Sequence, residues 1–370
     1  MGYLDGMPKA ARHLAAARSS AEHWRAIFEW ATTGLILLLI LKSRLLVRLR
    51  DRLQAMVSKG WLVSILCAFR FVFVLEGLGS AAAGVATLLW PQAGGETTTA
   101  ALSALPYRVV FGGLGLALFQ GIAGRAPKWW WAGLSGIAAL VAFCLVLIPS
   151  VTLIPQARGD APVANFAAPA LLSFVRSGGL NAKQLYVFDD ADPRAVDMEG
   201  LGPIAHAAVS RAALTAPDPE TYAAIGHLLG HYRHKDLWSM ALLYSVLATG
   251  FFFAVSRCYA PLARRLGDGG GGSLADPAAL PTIGLLAWVF TLAAVPAFNL
   301  FDQAINYRAD DYAMSLTRDP DALCRWLVAT EGRDKANPSP IEAVLFYDHP
   351  PLAWRLENAM RWRAAHTQRP

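Results

Sequence analysis

Six apolar stretches, each close to the length of a helix that crosses a bilayer, constrain the fold of this chain more than any other feature. They lie at 26–45, 61–89, 106–124, 130–154, 237–256 and 282–301. A membrane-spanning helix needs about 20 mainly apolar residues. With 55% hydrophobic and only 16% charged residues, the chain is also more apolar than an ordinary soluble domain. The sequence therefore predicts a mostly α-helical, polytopic membrane bundle of about six spans in contact with the lipid bilayer.

The charged residues follow the pattern of a membrane protein. The net charge is +6, but Lys and Arg flank the apolar stretches instead of forming a patch with interleaved aromatic residues, so we expect no nucleic-acid partner. If all six spans are real, the loops 42–60, 125–129 and 257–280 share one face and are basic. The positive-inside rule then favours a non-cytoplasmic position for the segment between the fourth and fifth spans. One miscounted span reverses this orientation, so the membrane side stays open.

Several smaller features interrupt the apolar part. Arg70 and Glu76 lie within the second span, where charges are costly, so we expect them to face the interior as a pair; alternatively Arg70 reaches toward the basic interface. The tryptophans at 129–131 predict an interfacial belt. The sequence GDGGGGS at 267–273 predicts a flexible linker, because it lacks the Lys and Ser/Thr of a phosphate loop. The scattered cysteines indicate neither a disulfide framework nor a metal site.

One stretch, DPETYAAIGHLLGHYRHKD, carries the chemistry. Asp218 and Pro219 predict the start of a helix as its N-cap and first residue. His227 and His231 are four residues apart, which puts both imidazoles on one face, as in H-E-x-x-H zinc proteases. Leu228 stands where such a protease has the glutamate that takes a proton from the zinc-bound water. The spacing of a metal site is present without its general base.

Changes in composition divide the chain into four parts. We predict an N-terminal membrane region at 1–155, a mixed α+β segment with the histidine helix at 156–236, and two further spans with the glycine-rich loop at 237–301. The polar part at 302–370 is expected to complete the segment that contains the histidines.

Four blocks of sequence carry a resemblance to a known family. They are RAPKWWW at 125–131, GHLLGHYRHKD at 226–236, NYRADDYA at 306–313 and YDHPPLAWRL at 347–356. Their order resembles that of the type I CAAX prenyl endopeptidases, integral-membrane zinc metallopeptidases, and especially their bacterial members. The resemblance implies a zincin-like α+β metallopeptidase domain, inserted before the last two spans and completed by the C-terminal helices. It also implies a location in the bacterial inner membrane.

The resemblance assigns the zinc ligands. In that family, zinc is held by two histidines, here His227 and His231, and by a glutamate four residues before an aspartate, here Asp310. Asn306 occupies the position of that glutamate. A carboxamide oxygen is a weaker zinc ligand than a carboxylate, so zinc is expected at low occupancy only.

Further residues take roles by resemblance. Asp310 would orient one of the histidines, and His349 and Arg355 would bind the substrate. Asp197–Gly200 is a poor match to the edge strand that pairs with the substrate in this family. His234 completes a stripe with the other two histidines, but its neighbours Arg233 and Lys235 favour a solvent-facing position.

Leu228 and Asn306 together decide the predicted function. They stand in place of the glutamates that serve as general base and third zinc ligand. We therefore predict a membrane pseudo-peptidase that binds a peptide or a membrane protein with little hydrolysis. The alternative is an active zinc endopeptidase with a rearranged site, and whether the protein is an enzyme stays open. A transporter or lipid-binding protein that uses a cavity around Arg70 and Glu76 is a third class.

Overall fold

The fold is mostly helical. The computed structural model describes residues 2–94, 98–152, 161–162, 169–189, 196–199, 206–215, 217–332 and 334–367. Its helices are α1 Gly2–Asp5, α2 Lys9–Lys42, α3 Leu45–Met56, α4 Gly60–Leu89, α5 Thr98–Arg125, α6 Trp130–Thr152, α7 Pro169–Ser177, α8 Arg211–Thr215, α9 Pro219–His234, α10 Asp236–Leu266, α11 Leu280–Thr317, α12 Pro320–Glu331, α13 Pro340–Phe346 and α14 Leu352–Thr367. Its strands are β1 Ala161–Pro162, β2 Leu185–Phe188, β3 Val196–Glu199 and β4 His206–Ser210.

Each predicted membrane span lies largely within a helix of the described part of the chain. Within the described part of the chain, five helices are long and apolar enough to cross a bilayer: Lys9–Lys42, Gly60–Leu89, Thr99–Arg125, Asp236–Leu266 and Pro277–Thr317. The remaining predicted span corresponds to a shorter apolar helix, Trp130–Cys144. The prediction of a polytopic membrane helix bundle is confirmed.

One compact unit comprises Arg18–Ala139 and Ser245–Ala294. Its core includes Leu37, Phe71 and Leu280, each at most 3% exposed. These residues come from α2, α4 and the start of α11, so apolar side chains hold the helices of this unit together.

Two expectations about the charged and aromatic residues of this unit are wrong. Glu76 pairs with Arg108 of α5 at 3.4 Å and not with Arg70, which lies over the ring of Phe73. Trp130 does not belong to an interfacial belt: it is 4% exposed and packs edge-to-face on aromatic rings of α5 and α10. Single-residue exposure of this kind depends on tertiary packing, which the run of tryptophans does not reveal.

The glycine-rich loop is held by a buried carboxylate, which the prediction of a flexible linker did not anticipate. Asp268 is buried and accepts hydrogen bonds from the Tyr259 hydroxyl at 3.0 Å, the Thr282 hydroxyl at 3.2 Å and the Gly270 N–H at 2.9 Å. One carboxylate thus fixes the loop to the helices on both sides of it.

The other unit comprises Met1–Ala17, Leu140–Tyr244 and Val295–Pro370 and contains all four strands. The strand order is β1-β2-β4-β3, with β2 parallel to β4 and β3 antiparallel to β4. The partial edge-strand match Asp197–Gly200 therefore lies largely in β3, at one edge of this sheet, while Gly200 is outside the described residues.

The histidine helix α9 packs on this sheet. Ile225 and Leu229, one turn apart, are at most 1% exposed and share a core with Leu185, Val187 and Val209 of the strands. Because these two residues face the sheet, the histidines lie on a different side of the helix.

The four-part division of the sequence stays a prediction. Helix α11 runs without a break across the predicted boundary between 301 and 302. The last apolar span and the Asn306 to Asp310 segment are therefore consecutive turns of one helix.

Candidate functional site

The histidine helix has a capping residue at each end, Asp218 before it and Lys235 after it. The Asp218 carboxylate accepts a hydrogen bond from the Thr221 N–H at 2.7 Å, and Pro219 occupies the first turn, which confirms the predicted N-cap. Lys235 ends the helix in the left-handed region, with φ 58°. The chain turns there, and Asp236 opens α10.

Two glycines let α9 and α11 approach closely. A Cβ on Gly226 would lie 3.2 Å from the Ala313 Cα, and one on Gly230 would lie 2.7 Å from the Ala309 Cα. The second distance is shorter than a real carbon contact, so only glycine fits at 230 without a shift of the backbone. This crossing brings the two histidines next to the Asn306 to Asp310 segment.

Replacement of Gly230 by alanine is expected to lower stability and to disturb the histidine site. Alanine gains about 1 kcal/mol of helix propensity over glycine, but overpacking against a backbone costs about 1–3 kcal/mol. Gly226→Ala is the matched control, because its contact is looser and the two terms should nearly cancel. Thermal unfolding of both variants in detergent measures the difference, and equal melting temperatures would contradict the packing account.

The two imidazoles converge on one point. Their Nε2 atoms are 3.1 Å apart, and their rings are nearly perpendicular, at 89°. His227 Nδ1 lies 2.8 Å from Asp310 Oδ1, and His231 Nδ1 lies 2.9 Å from Asp236 Oδ2. An ionised carboxylate only accepts hydrogen bonds, so both Nδ1 atoms carry the proton. In the neutral rings, both Nε2 lone pairs then face each other.

Two arginines hold these two carboxylates, and of the two only Arg355 is buried. Arg355 donates to Asp310 through Nε at 2.7 Å and through Nη2 at 2.5 Å, and it also donates to Glu331. Arg308 Nη2 donates to Asp236 Oδ1 at 2.6 Å. Each histidine therefore has its own fixed acceptor, which selects its tautomer and its ring orientation.

Burial sets the charge of His227. Removal from water lowers the pKa of His227 to about 4, with Arg355 and His231 acting in the same direction against the attraction of Asp310. The imidazole is therefore neutral near pH 7, as a metal ligand must be. Burial also raises the pKa of the Glu331 carboxyl, against the attraction of Arg355.

The imidazole pair fits a zinc ion. In a tetrahedral site with Zn–N bonds of about 2.0–2.1 Å, the two nitrogens are about 3.3 Å apart, close to the 3.1 Å between these Nε2 atoms. Opposed lone pairs at this distance also favour a positive centre between them. Among the described residues, no third His, Cys, Asp or Glu side chain completes a metal-binding group.

Asn306 offers only a neutral oxygen to such an ion. It is 3% exposed and lines the same cavity as the histidines. Its Nδ2 donates to the Asp302 carbonyl at 2.9 Å, which leaves Oδ1 as the atom available to a ligand. The cavity wall thus presents two imidazole nitrogens and one neutral amide oxygen.

A cavity of about 930 Å³ opens over the histidines. Among the residues predicted for the site, it brings together His227, His231, Leu228, Asn306 and His349. Asp310 lies behind His227. Arg355 does not line the cavity: it is 1% exposed, and its guanidinium contacts Asp310 and Glu331. His234 is exposed, as predicted.

Three carboxylates at the site were not predicted from the sequence: Asp236, Asp302 and Glu331. Asp236 lies five residues after His231, and it reaches the imidazole only because of the left-handed turn at Lys235. The YRHKD ending of the motif was a weak signal for this contact. Asp302 in the cavity and Glu331 beside Arg355 both lie outside the four sequence blocks.

A family model decides the relationship. The model of peptidase family M48 matches residues 171–363, more than half of the chain. The chain belongs to peptidase family M48. The match begins in α7 and includes the sheet, the histidine helix and most of the C-terminal helices, so the α+β part of this M48 chain is its metallopeptidase domain.

Curated relatives and a solved structure are similar to this M48 chain. A "Protease HtpX homolog" of Aeropyrum pernix is 26% identical over 64% of the chain and 74% of the relative. Another "Protease HtpX homolog", of Streptococcus gordonii, is 26% identical over 66% of the chain and 91% of the relative. The crystal structure of S. mikatae Ste24p covers 95% of the chain and 90% of its own, with a TM-score of 0.68 and 17% identity. This likeness shows the fold of a membrane bundle with a metallopeptidase domain.

Proposed function

We propose that this membrane M48 protein is a pseudo-peptidase, which binds a peptide or a segment of a membrane protein in its cavity with little or no hydrolysis. The observation that carries the proposal is Leu228. Its hydrocarbon side chain lies in the lining of the same cavity as both imidazoles, at the position of the missing glutamate. General acid–base catalysis is worth about 10² to 10⁴ in rate, and a leucine supplies none of it.

The ligands present would hold zinc weakly. His227 and His231 would bind it through Nε2, with the Asn306 carboxamide as a neutral third ligand, at low occupancy. When bound, zinc would supply Lewis-acid polarisation of a peptide carbonyl. Asp310 and Asp236 orient the two imidazoles, and His349 adds a half-exposed imidazole at the cavity wall.

An active peptidase with a rearranged site is the second candidate. One observation favours it: the carboxylate of Asp302 lines the cavity, one helical turn before Asn306. In this reading Asp302 replaces the missing glutamate as the proton acceptor. Asp302→Asn would then abolish hydrolysis by the wild-type protein, whereas under the first proposal there is no hydrolysis to lose.

Purified full-length protein in detergent tests the proposal directly. We expect fluorescent peptides to bind saturably, while their cleavage stays at the rate of a control sample in excess chelator, since no base activates water. Fluorescence anisotropy measures binding, and mass spectrometry measures cleavage. Chelator-sensitive cleavage would favour the second candidate, and the absence of any peptide binding would overturn the proposal.

We also infer a finer placement of the protein. The four sequence blocks support the branch that resembles type I CAAX prenyl endopeptidases, without implying prenylated substrates. The resemblance supports a bacterial inner-membrane location, and the basic loops support a non-cytoplasmic position for the metallopeptidase domain. Reporter fusions at Lys235 and at the C-terminus would test the orientation.

A further inference from the structure

One carboxylate in the cavity is poorly compensated. Asp302 is 7% exposed and lines the cavity, yet its carboxylate accepts only a long hydrogen bond of 3.4 Å, from Asn306, within the described part of the chain. His349 Nδ1 lies 3.9 Å away, and its closer contact is with Asp348, at 3.1 Å. Asp302 is therefore almost without donors.

The other carboxylates in the cavity lining differ in this respect. The Asp236 carboxylate accepts hydrogen bonds from Arg308 Nη2 at 2.6 Å and from His231 Nδ1 at 2.9 Å. The side chain of Asp348 is 69% exposed, so water solvates its carboxylate, which also contacts His349. A buried carboxylate without donors is costly, because the water that it gives up is not replaced. Asp302 thus has unused capacity to accept hydrogen bonds and a negative charge that faces an open cavity.

The walls beside Asp302 are apolar. Leu237, Met240, Phe298 and Ile305 line the same cavity. A ligand group that suits this surface joins a cation to a hydrocarbon body, as the side chains of lysine and arginine do.

Positive charges at the cavity do not oppose such a ligand strongly. Arg233 and Lys235 also line the cavity, but both are exposed, so water and salt screen them. Asp302 is buried, where a charge acts through a lower effective dielectric constant.

We propose that Asp302 is the specificity residue of the cavity, and that it selects peptides with a lysine or arginine side chain next to apolar residues. This inference rests on the proposed function, because it names the chemical class of the peptide that the cavity binds. The cation would donate charge-assisted hydrogen bonds to the Asp302 carboxylate, while its aliphatic stem and the neighbouring residues would cover the apolar wall.

A peptide series that differs at one position tests the inference. The probes are fluorescent peptides with identical apolar residues and lysine, methionine or glutamate at the variable position, titrated into full-length protein in detergent. We expect the lysine peptide to bind at least about tenfold more tightly than the methionine peptide, or about 1.4 kcal/mol, with the glutamate peptide weakest.

Three variants assign the preference to Asp302. Asp302→Asn should remove the preference for lysine while it changes the affinity for the methionine peptide less than about twofold. Asp302→Glu should keep the preference, since it keeps the charge. Asp311→Asn is the matched control: the same charge is lost from the same helix, at an exposed residue that does not line the cavity.

The outcomes separate the two proposals. Saturable binding of lysine and methionine peptides with equal affinity would overturn the role of Asp302 and leave the pseudo-peptidase proposal intact. A lysine preference that survives in Asp302→Asn would likewise overturn it. If no peptide of the series binds, the pseudo-peptidase proposal falls, and the inference falls with it.

Discussion

Replacement of Leu228 and Asn306 together by glutamate is expected to produce a zinc-dependent peptidase. Glutamate at 228 supplies the missing proton acceptor in the cavity, and glutamate at 306 supplies a charged third ligand. We expect hydrolysis of a bound peptide to rise by at least about 10² over the wild type, the lower limit for general acid–base catalysis. Zinc affinity should rise at least about 100-fold, because even outer partners of metal ligands are worth 10- to 100-fold.

The structure favours this gain because the rest of the site is already in place. Both imidazoles have their Nδ1 atoms fixed by carboxylates at 2.8 and 2.9 Å, and their Nε2 atoms converge at 3.1 Å. Leu228 already lines the cavity, so a glutamate of similar length there would reach the same space.

A neutral pair of substitutions provides the control. Leu228→Gln with Asn306→Gln has nearly the same shape as the glutamate pair but lacks its charge, and it should change neither zinc content nor cleavage. Zinc is measured by elemental analysis after dialysis against a defined free concentration, and cleavage by mass spectrometry with and without chelator. Unchanged zinc content in the glutamate pair would contradict the idea that 228 and 306 face a common metal position.

The sequence predicted the local features of the site correctly because they follow from short-range rules. The N-cap at Asp218 and the shared face of His227 and His231 need only helix geometry. The apolar spans follow from length and composition. These features do not depend on how distant segments pack.

The contacts that complete the site depend on tertiary structure, which no spacing rule contains. Asp236 reaches His231 through a left-handed residue, and the close approach of Gly230 to Ala309 needs α11 as a partner. The resemblance suggested Arg355 as a substrate-binding residue, whereas its guanidinium contacts the buried carboxylate of Asp310 and the half-buried carboxylate of Glu331. Sequence order cannot distinguish a cation that faces a cavity from one that lies behind a ligand.

Arg355→Met is expected to be the most destabilising single substitution at the site. The arginine is 1% exposed, and it is the cation that joins Asp310 to Glu331. Removing one member of a buried ion pair costs about 3–5 kcal/mol, because the remaining charges lose their compensation. We expect the melting temperature in detergent to fall by about 5 °C, with weaker metal binding, since Asp310 loses the cation that fixes it beside His227.

The size of this loss distinguishes uncompensated charge from lost packing. Arg363→Met removes a cation from the same helix, but Arg363 is 47% exposed in its pair with Asp321, so its loss should cost less than about 1 kcal/mol. Asp310→Asn with Glu331→Gln in the Arg355→Met background removes the uncompensated charges and should restore part of the stability. If the triple variant unfolds at a lower temperature than Arg355→Met, then the arginine stabilises the site through its packing, and charge compensation is not what keeps it buried.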